Sequence, residues 1–168
     1  ARKHFSTVQF NHKLKRWLTG ISQEKLQLEY AGELDGCLDF ALYYLLIEAA
    51  KRGSGFINDA GLTKAIYRHL QKFPTNYLPV VFLDNHDVNR FLHYCHGNTE
   101  QLIAAIGLIF SLNLPVVIYY ATETGVYNQN PLSVNVPFAD LEVREPFDWE
   151  NINHEIVIAI KASNKNRI

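Results

Sequence analysis

Between β-branched and aromatic neighbours the chain reads Leu83-Asp84-Asn85-His86-Asp87-Val88-Asn89-Arg90-Phe91. Carboxylates, amides, an imidazole and a guanidinium crowd into seven residues there. A carboxylate beside an imidazole can accept and donate hydrogen bonds to one polar ligand, so Asp87 and His86 can bind and polarise. The same residues can also form a plain turn. In that reading Asp84 and Asn85 bond the backbone and Asp87 pairs with Arg90. A metal site on the His-Asp pair would need more ligands at helical spacing; no second such cluster exists, and no metal or cofactor is expected. A second polar patch, Tyr119-Tyr120-Ala121-Thr122-Glu123-Thr124-Gly125, carries Glu123. That carboxylate can line the same pocket or brace the loop through Arg144.

Both patches follow near-identical apolar runs. Tyr77-Leu78-Pro79-Val80-Val81-Phe82 recurs as Asn113-Leu114-Pro115-Val116-Val117-Ile118, with Pro79 and Pro115 36 residues apart. Each run lacks alternation and reads as a parallel strand buried on both faces. Between them, 98–112 has helical periodicity through Leu102, Ile106, Ile109 and Phe110, with Asn98 as cap and Gln101 completing a capping box. Strand, helix, strand at this period is a right-handed βαβ unit. Upstream, a short strand at 36–40 leads into a helix from about 41 that stops at Gly53-Ser54-Gly55. A further helix starts at Asp59 or Ala60 and carries Leu62, Ile66, Leu70 and Phe73 on one face before Pro74 ends it. A polar loop spans 126–150, and a last helix starts near Asn153. Ser6–Phe10 is a candidate short strand.

The order predicts a parallel α/β sheet, and in such folds working side chains lie just past the carboxyl ends of strands. Both polar patches occupy that position. A complete eightfold barrel needs about 250 residues. With 168 residues the chain supplies only three or four of the eight units.

Composition narrows the function classes. The chain is 48% hydrophobic and 20% charged, with a formal net charge of −1. That is too apolar for a disordered chain and too neutral for a nucleic-acid partner. No apolar run approaches the ~18 residues a membrane helix needs, so no membrane partner is expected. Cys37 and Cys95 have no metal or disulfide spacing and read as buried, unreactive thiols. Residues 1–23 hold no acid but carry Arg2, Lys3, Lys13, Lys15 and Arg16. They form an unassigned basic segment, read as a solvated terminus rather than a polyanion site.

Four segments together carry a family resemblance. Phe82-Leu83-Asp84-Asn85-His86-Asp87 resembles the F-x-x-N-H-D region of the α-amylase family, glycoside hydrolase family 13. Leu34-Asp35-Gly36-Cys37-Leu38-Asp39-Phe40 resembles the segment around that family's sixth strand. The run from Tyr119 to Gly125 is similar to its eighth-strand Y-Y-G-x-E-x-G, with Ala121 where the family usually has Gly. Val143-Arg144-Glu145-Pro146-Phe147-Asp148-Trp149 resembles its R-x-P-x-x-W segment. The four occur in the family order over about residues 24–160.

The resemblance implies a partial (β/α)8 TIM barrel, an α/β fold, with 24–168 forming its carboxyl-terminal half, about strands six to eight with their helices. It implies that Asp87 is the third essential carboxylate, gripping sugar hydroxyls and stabilising the transition state, and that His86 bonds the same sugar. Asn85 stands with them beside the substrate and helps to shape the loop; Arg90, Glu123 and Arg144 are implied as structural support. The implied substrate is an α-glucan or oligosaccharide, cut at α-glucosidic bonds with retention. Retention needs a nucleophile and an acid about 5–5.5 Å apart. The family's G-x-R-x-D segment, which holds the nucleophile, does not occur in this chain. Glu33 follows no apolar run and is a poor candidate for the acid. The isolated chain is therefore expected to be inactive. Its exposed sheet edges call for a missing half barrel or for self-association. Two other readings remain at this stage: a non-catalytic amylase-like module with a structural or partner-binding role, and an independent small α/β domain with an ordinary loop at Asp84–Arg90.

Overall fold

The computed structural model describes residues 22–53, 55, 59–132 and 139–165. The basic segment up to residue 21 and the candidate strand Ser6–Phe10 lie outside the described residues.

Three parallel strand segments form an arc. Leu38 bridges to Val80. Val81–Phe82 (β1) pairs with Val116–Val117 (β2), Val81 opposite Val116 and Phe82 opposite Val117. Backbone bonds from Leu78 N to Asp35 O (2.8 Å), Val80 N to Cys37 O (2.9 Å) and Val81 N to Pro115 O (2.8 Å) extend the ladder on both sides of β1. The two repeated apolar runs are thus neighbours, as the βαβ period required.

Helices follow each strand: α1 (Gln23–Tyr30) and α2 (Phe40–Lys51) flank the first segment, and α3 (Ala60–Leu70) leads to β1. The short α4 (Phe91–Tyr94) and long α5 (Thr99–Ser111) connect β1 to β2. A 3-10 turn (Thr122–Thr124), α6 (Ala139–Glu142) and α7 (His154–Lys165) complete the order. The helix starts follow from short polar side chains. Asp39 Oδ1 accepts from Leu42 N at 2.8 Å, Asp59 Oδ1 from Leu62 N at 2.9 Å, and Asn98 Oδ1 from Gln101 N at 3.2 Å. Each satisfies an N–H that the first helical turn leaves without a partner. The expected capping box closes only halfway, because Gln101 Oε1 is buried with no hydrogen bond.

The core lies between the arc and the helices. Leu42, Tyr43, Leu46 and Ile47 of α2 pack with Leu62 and Ile66 of α3, Leu102, Ile106 and Ile109 of α5, and Val81 and Phe82 of β1. Phe82 stacks on Tyr43 with ring centroids 5.2 Å apart and meets Phe40 edge-on at 5.0 Å. Ile156 joins from α7, which packs on α5.

Four expectations change. β1 is buried on both faces, but Val117 of β2 is 43% exposed. Val116 and Ile118 pack on the core, so the intervening Val117 points to the opposite face. Among the described residues nothing covers that face, and Leu38 and Leu78 are exposed as well. The loop 126–150 contains α6. Helix α1 was not anticipated: Leu26, Leu28 and Tyr30 recur with a period of two, and its one fully buried residue is Gln27. The cysteines divide: Cys95 is buried and its thiol is pushed up to about 12 by burial, whereas Cys37 is half-buried with Sγ 2.8 Å from the Tyr77 hydroxyl.

A buried ionic group locks α1, α2 and α3 together. His69 and Asp39 are 2% and 1% exposed. His69 Nε2 lies 2.8 Å from Asp39 Oδ2, and its Nδ1 lies 3.0 Å from Glu24 Oε2. Lys72 donates to the other Glu24 oxygen. Burial alone would lower the His69 pKa, but hydrogen bonds and charge from Asp39 and then Glu24 outweigh it and raise the value above 6.5. Burial also works against the Glu24 charge, yet Lys72 and His69 leave its pKa below 4.5.

Two outcomes follow for stability. The raised His69 value contributes stability that is complete below pH 6.5 and lost as pH rises through the folded-state pKa. The lowered Glu24 value contributes stability present above pH 4.5 and lost as pH falls through its folded-state pKa. Urea midpoints should therefore decline as pH rises from 6.5 through the folded-state pKa of His69, and His69→Phe should abolish that decline. The same variant leaves Asp39 buried and unpaired, a loss of about 3–5 kcal/mol. A decline above pH 6.5 that persists unchanged in His69→Phe would show that another group drives it. Separately, a Cβ on Gly36 would sit 2.1 Å from Leu78 O, a backbone atom that cannot swing aside. Gly36→Ala should cost about 1–3 kcal/mol by forcing the strands apart, measurable as a lower chemical midpoint; an unchanged midpoint would contradict this strand spacing.

Candidate active site

The polar cluster lies in the loop between β1 and α4, past the carboxyl end of the central strand. Its six polar residues divide into a buried set and an exposed set.

Asp84, Asn89 and Arg90 are buried. Asp84 Oδ2 accepts from Phe91 N at 3.1 Å and Oδ1 accepts from the Thr122 hydroxyl at 3.0 Å. One carboxylate thereby starts α4 and ties the loop after β1 to the turn after β2. Burial pushes its pKa up; the Arg90 charge and the two hydrogen bonds oppose the rise. Arg90 is fully buried, with its guanidinium carbon 4.3 Å from the Tyr119 ring centroid and 5.1 Å from that of Tyr120. NH1 donates to Tyr120 O at 2.7 Å, while Nε and NH2 have no hydrogen-bond partner among the described residues. The planar guanidinium suits a seat over aromatic rings.

His86 and Asp87 are exposed. Their side chains are 62% and 66% accessible, with His86 Nε2 3.4 Å from Asp87 Oδ1. Asn85 is half-buried, and its Oδ1 accepts from Asp87 N at 2.8 Å. This bond fixes the turn that turns Asp87 outward. Arg144, from beyond α6, donates from Nε and NH2 to His86 O at 3.3 and 3.1 Å, and NH2 comes within 3.9 Å of Asp87 Oδ1. Its NH1 also bonds Asp140 Oδ2 at 3.3 Å.

The turn reading of this loop is thus right for Asp84 and Asn85 and wrong for Asp87. Arg90 turns inward to the tyrosines, which leaves Asp87 with His86 and Arg144 as neighbours. Arg144 holds His86 O, and Arg90 holds Tyr120 O. Glu123 does not meet Arg144 among the described residues: its Oε2 is buried without a hydrogen bond, and it lines a groove with Ile118, Tyr119, Tyr120, Ile160 and Lys161. Asp87 is not among the residues lining that groove. Ala121, where glycine was expected, is fully buried and has φ +64°. The backbone keeps the left-handed form that glycine favours, and the methyl group is accommodated at a conformational cost. No group of three or more potential metal ligands occurs among the described residues.

Sequence reading missed the residues that hold this loop from outside. Asn128 is fully buried and accepts from Arg90 N at 2.8 Å, and Glu142 binds the backbone of residues 129 and 130. Both lie in a stretch rich in Asn, Gln and acids, whose composition does not distinguish a buried amide from a solvated one.

Comparison with known proteins agrees with the motifs. The family model for the α-amylase catalytic domain matches residues 14–166. The β/α-amylase of Paenibacillus polymyxa is 34% identical over 106 residues, covering 58% of this chain and 8% of that protein. Alpha-amylase 2 of Dictyoglomus thermophilum is 28% identical over 135 residues, covering 78% of this chain and 23% of that protein. The chain therefore spans less than a quarter of the length of either relative. Among solved structures, the cyclic α-maltosyl-(1→6)-maltose hydrolase of Arthrobacter globiformis in complex with maltose superposes with a TM-score of 0.70 at 17% identity, over 92% of this chain and 36% of that one. The likeness of fold identifies the three-stranded arc as part of a TIM barrel. With the family model spanning nearly its whole length, the chain belongs to the α-amylase catalytic-domain family.

Proposed function

We propose that this chain supplies the sixth, seventh and eighth strand units of an α-amylase-family barrel that cleaves or transfers α-glucosidic bonds of starch-like glucans or oligosaccharides with retention. The observation that carries the reading is the placement of Asp87. It lies just past the central strand, is turned outward by Asn85, and has His86 and Arg144 beside it. Asp87 grips sugar hydroxyls and stabilises charge in the transition state; His86 and Asn85 lie at the same sugar. Arg90 and Arg144 support the loops. The name of the Arthrobacter structure, a hydrolase bound to maltose, supports a glucoside as ligand.

The chemistry needs two more carboxylates. A retaining mechanism forms and breaks a glycosyl intermediate, with nucleophile and acid about 5–5.5 Å apart. The 168 residues contain no G-x-R-x-D segment, so nucleophile and acid come from other barrel units. The exposed Leu38 and Val117 fit this reading, because they occupy the face that a closed barrel fills. The same units, or a second copy of the chain, would cover the open edge of β2.

The test uses the complete barrel polypeptide and a maltooligosaccharide. The 168-residue chain alone should give no turnover above background, whereas the complete barrel should turn the substrate over. Asp87→Asn in the complete barrel should lower kcat by at least about 10³-fold with the melting temperature kept. Turnover by the isolated chain would contradict the supply of nucleophile and acid by other barrel units, and a near-normal rate in Asp87→Asn would remove Asp87 from this role. A folded complete barrel without turnover would favour the non-catalytic, partner-binding module.

A further inference from the structure

The Asp87 loop is held at both ends by a segment remote in sequence. Behind it stands Asn128, completely buried. Asn128 Oδ1 accepts from Arg90 N at 2.8 Å; Nδ2 donates to Asn89 Oδ1 at 3.0 Å and to Asn130 O at 2.8 Å. Its carbonyl lies 2.7 Å from His93 Nδ1. Asn89 is held further by Leu132 N and, at 3.0 Å, by the Tyr94 hydroxyl. A buried amide using both ends of its side chain cannot shift without leaving polar groups unpaired, so it fixes residues 89 and 90 firmly. The front of the loop is held through the same segment. Glu142 Oε2 accepts from Gln129 N at 2.8 Å and Asn130 N at 3.0 Å, and Oε1 accepts from Asn130 Nδ2. Two residues on, Arg144 grips His86 O.

We infer that Asn128 is a positioning residue for Asp87, and that Glu142, through Arg144, closes a clamp whose two jaws meet the loop at His86 and at Asn89–Arg90. The inference rests on the proposed role of Asp87. Asn128 touches no substrate; it acts by setting where the Asp87 carboxylate stands. A displacement of about 1 Å at a catalytic group costs on the order of 10²-fold in rate.

A double-mutant cycle in the complete barrel separates this role from general support of the fold. Asn128→Ala should lower kcat by about 10–100-fold with KM nearly unchanged, and it should cause no further loss when added to Asp87→Asn. Equal loss in both backgrounds would overturn the inference, since a destabilised fold lowers both rates alike. A near-normal Asp87→Asn would instead overturn the role of Asp87 itself. Should Asn128→Ala fail to fold, Glu142→Gln on the exposed side of the clamp replaces it in the cycle. It should show the same dependence on Asp87, in milder form, and additivity there would equally count against the clamp.

Discussion

One buried carboxylate joins the two loops on which the candidate site stands. Asp84 follows the central strand, accepts from Phe91 N at the start of α4 and receives the Thr122 hydroxyl from the turn after β2. A carboxylate is costly to bury, and it persists here because both oxygens are bonded and Arg90 lies close enough to offset its charge. With Asp84 drawn inward, the four residues that follow must turn over it. Asn85 closes that turn, and the side chains of His86 and Asp87 are left on the outside. The contrast between a fully buried Asp84 and an exposed Asp87, three residues apart, thus arises from one packing decision at the strand end.

The rest of the architecture serves a curved sheet finished on one side only. Helices cover the outer face with a continuous core from Leu42 to Ile156. The other face carries Leu38, Leu78 and Val117 in the open, and β2 has an unpaired edge among the described residues. A parallel sheet is stable when both faces are covered. The chain is thus an arc of a larger cylinder in energetic terms as well as in length, and family membership gives that cylinder its identity.

Secondary elements with strong local signals were legible in the sequence. The repeated Pro-Val-Val runs became the paired strands because β-branched, non-alternating segments suit a parallel sheet. The caps at Asp59 and Asn98 fixed helix starts, because a short polar side chain satisfies a nearby N–H without help from the rest of the fold. Helix α1 escaped notice because its buried residue is a glutamine and its apolar residues alternate. The basic residues of 1–21 lie outside the described structure, and their role stays where composition left it.

The sequence by itself pointed to the family, to the two parallel strands with a helix between them, and to the polar loop that follows the first of them. These depend on local spacing and on residue chemistry, which the linear chain displays. Only the tertiary structure decided that Arg90 turns inward over the rings of Tyr119 and Tyr120 rather than toward Asp87, that His69 bridges two carboxylates 30 and 45 residues away, and that Asn128 reaches back 38 residues to the loop. Each of these depends on which polar groups become buried together. Burial is a property of packing between distant segments, and the energy of an unpaired buried group, not its place in the chain, selects its partner.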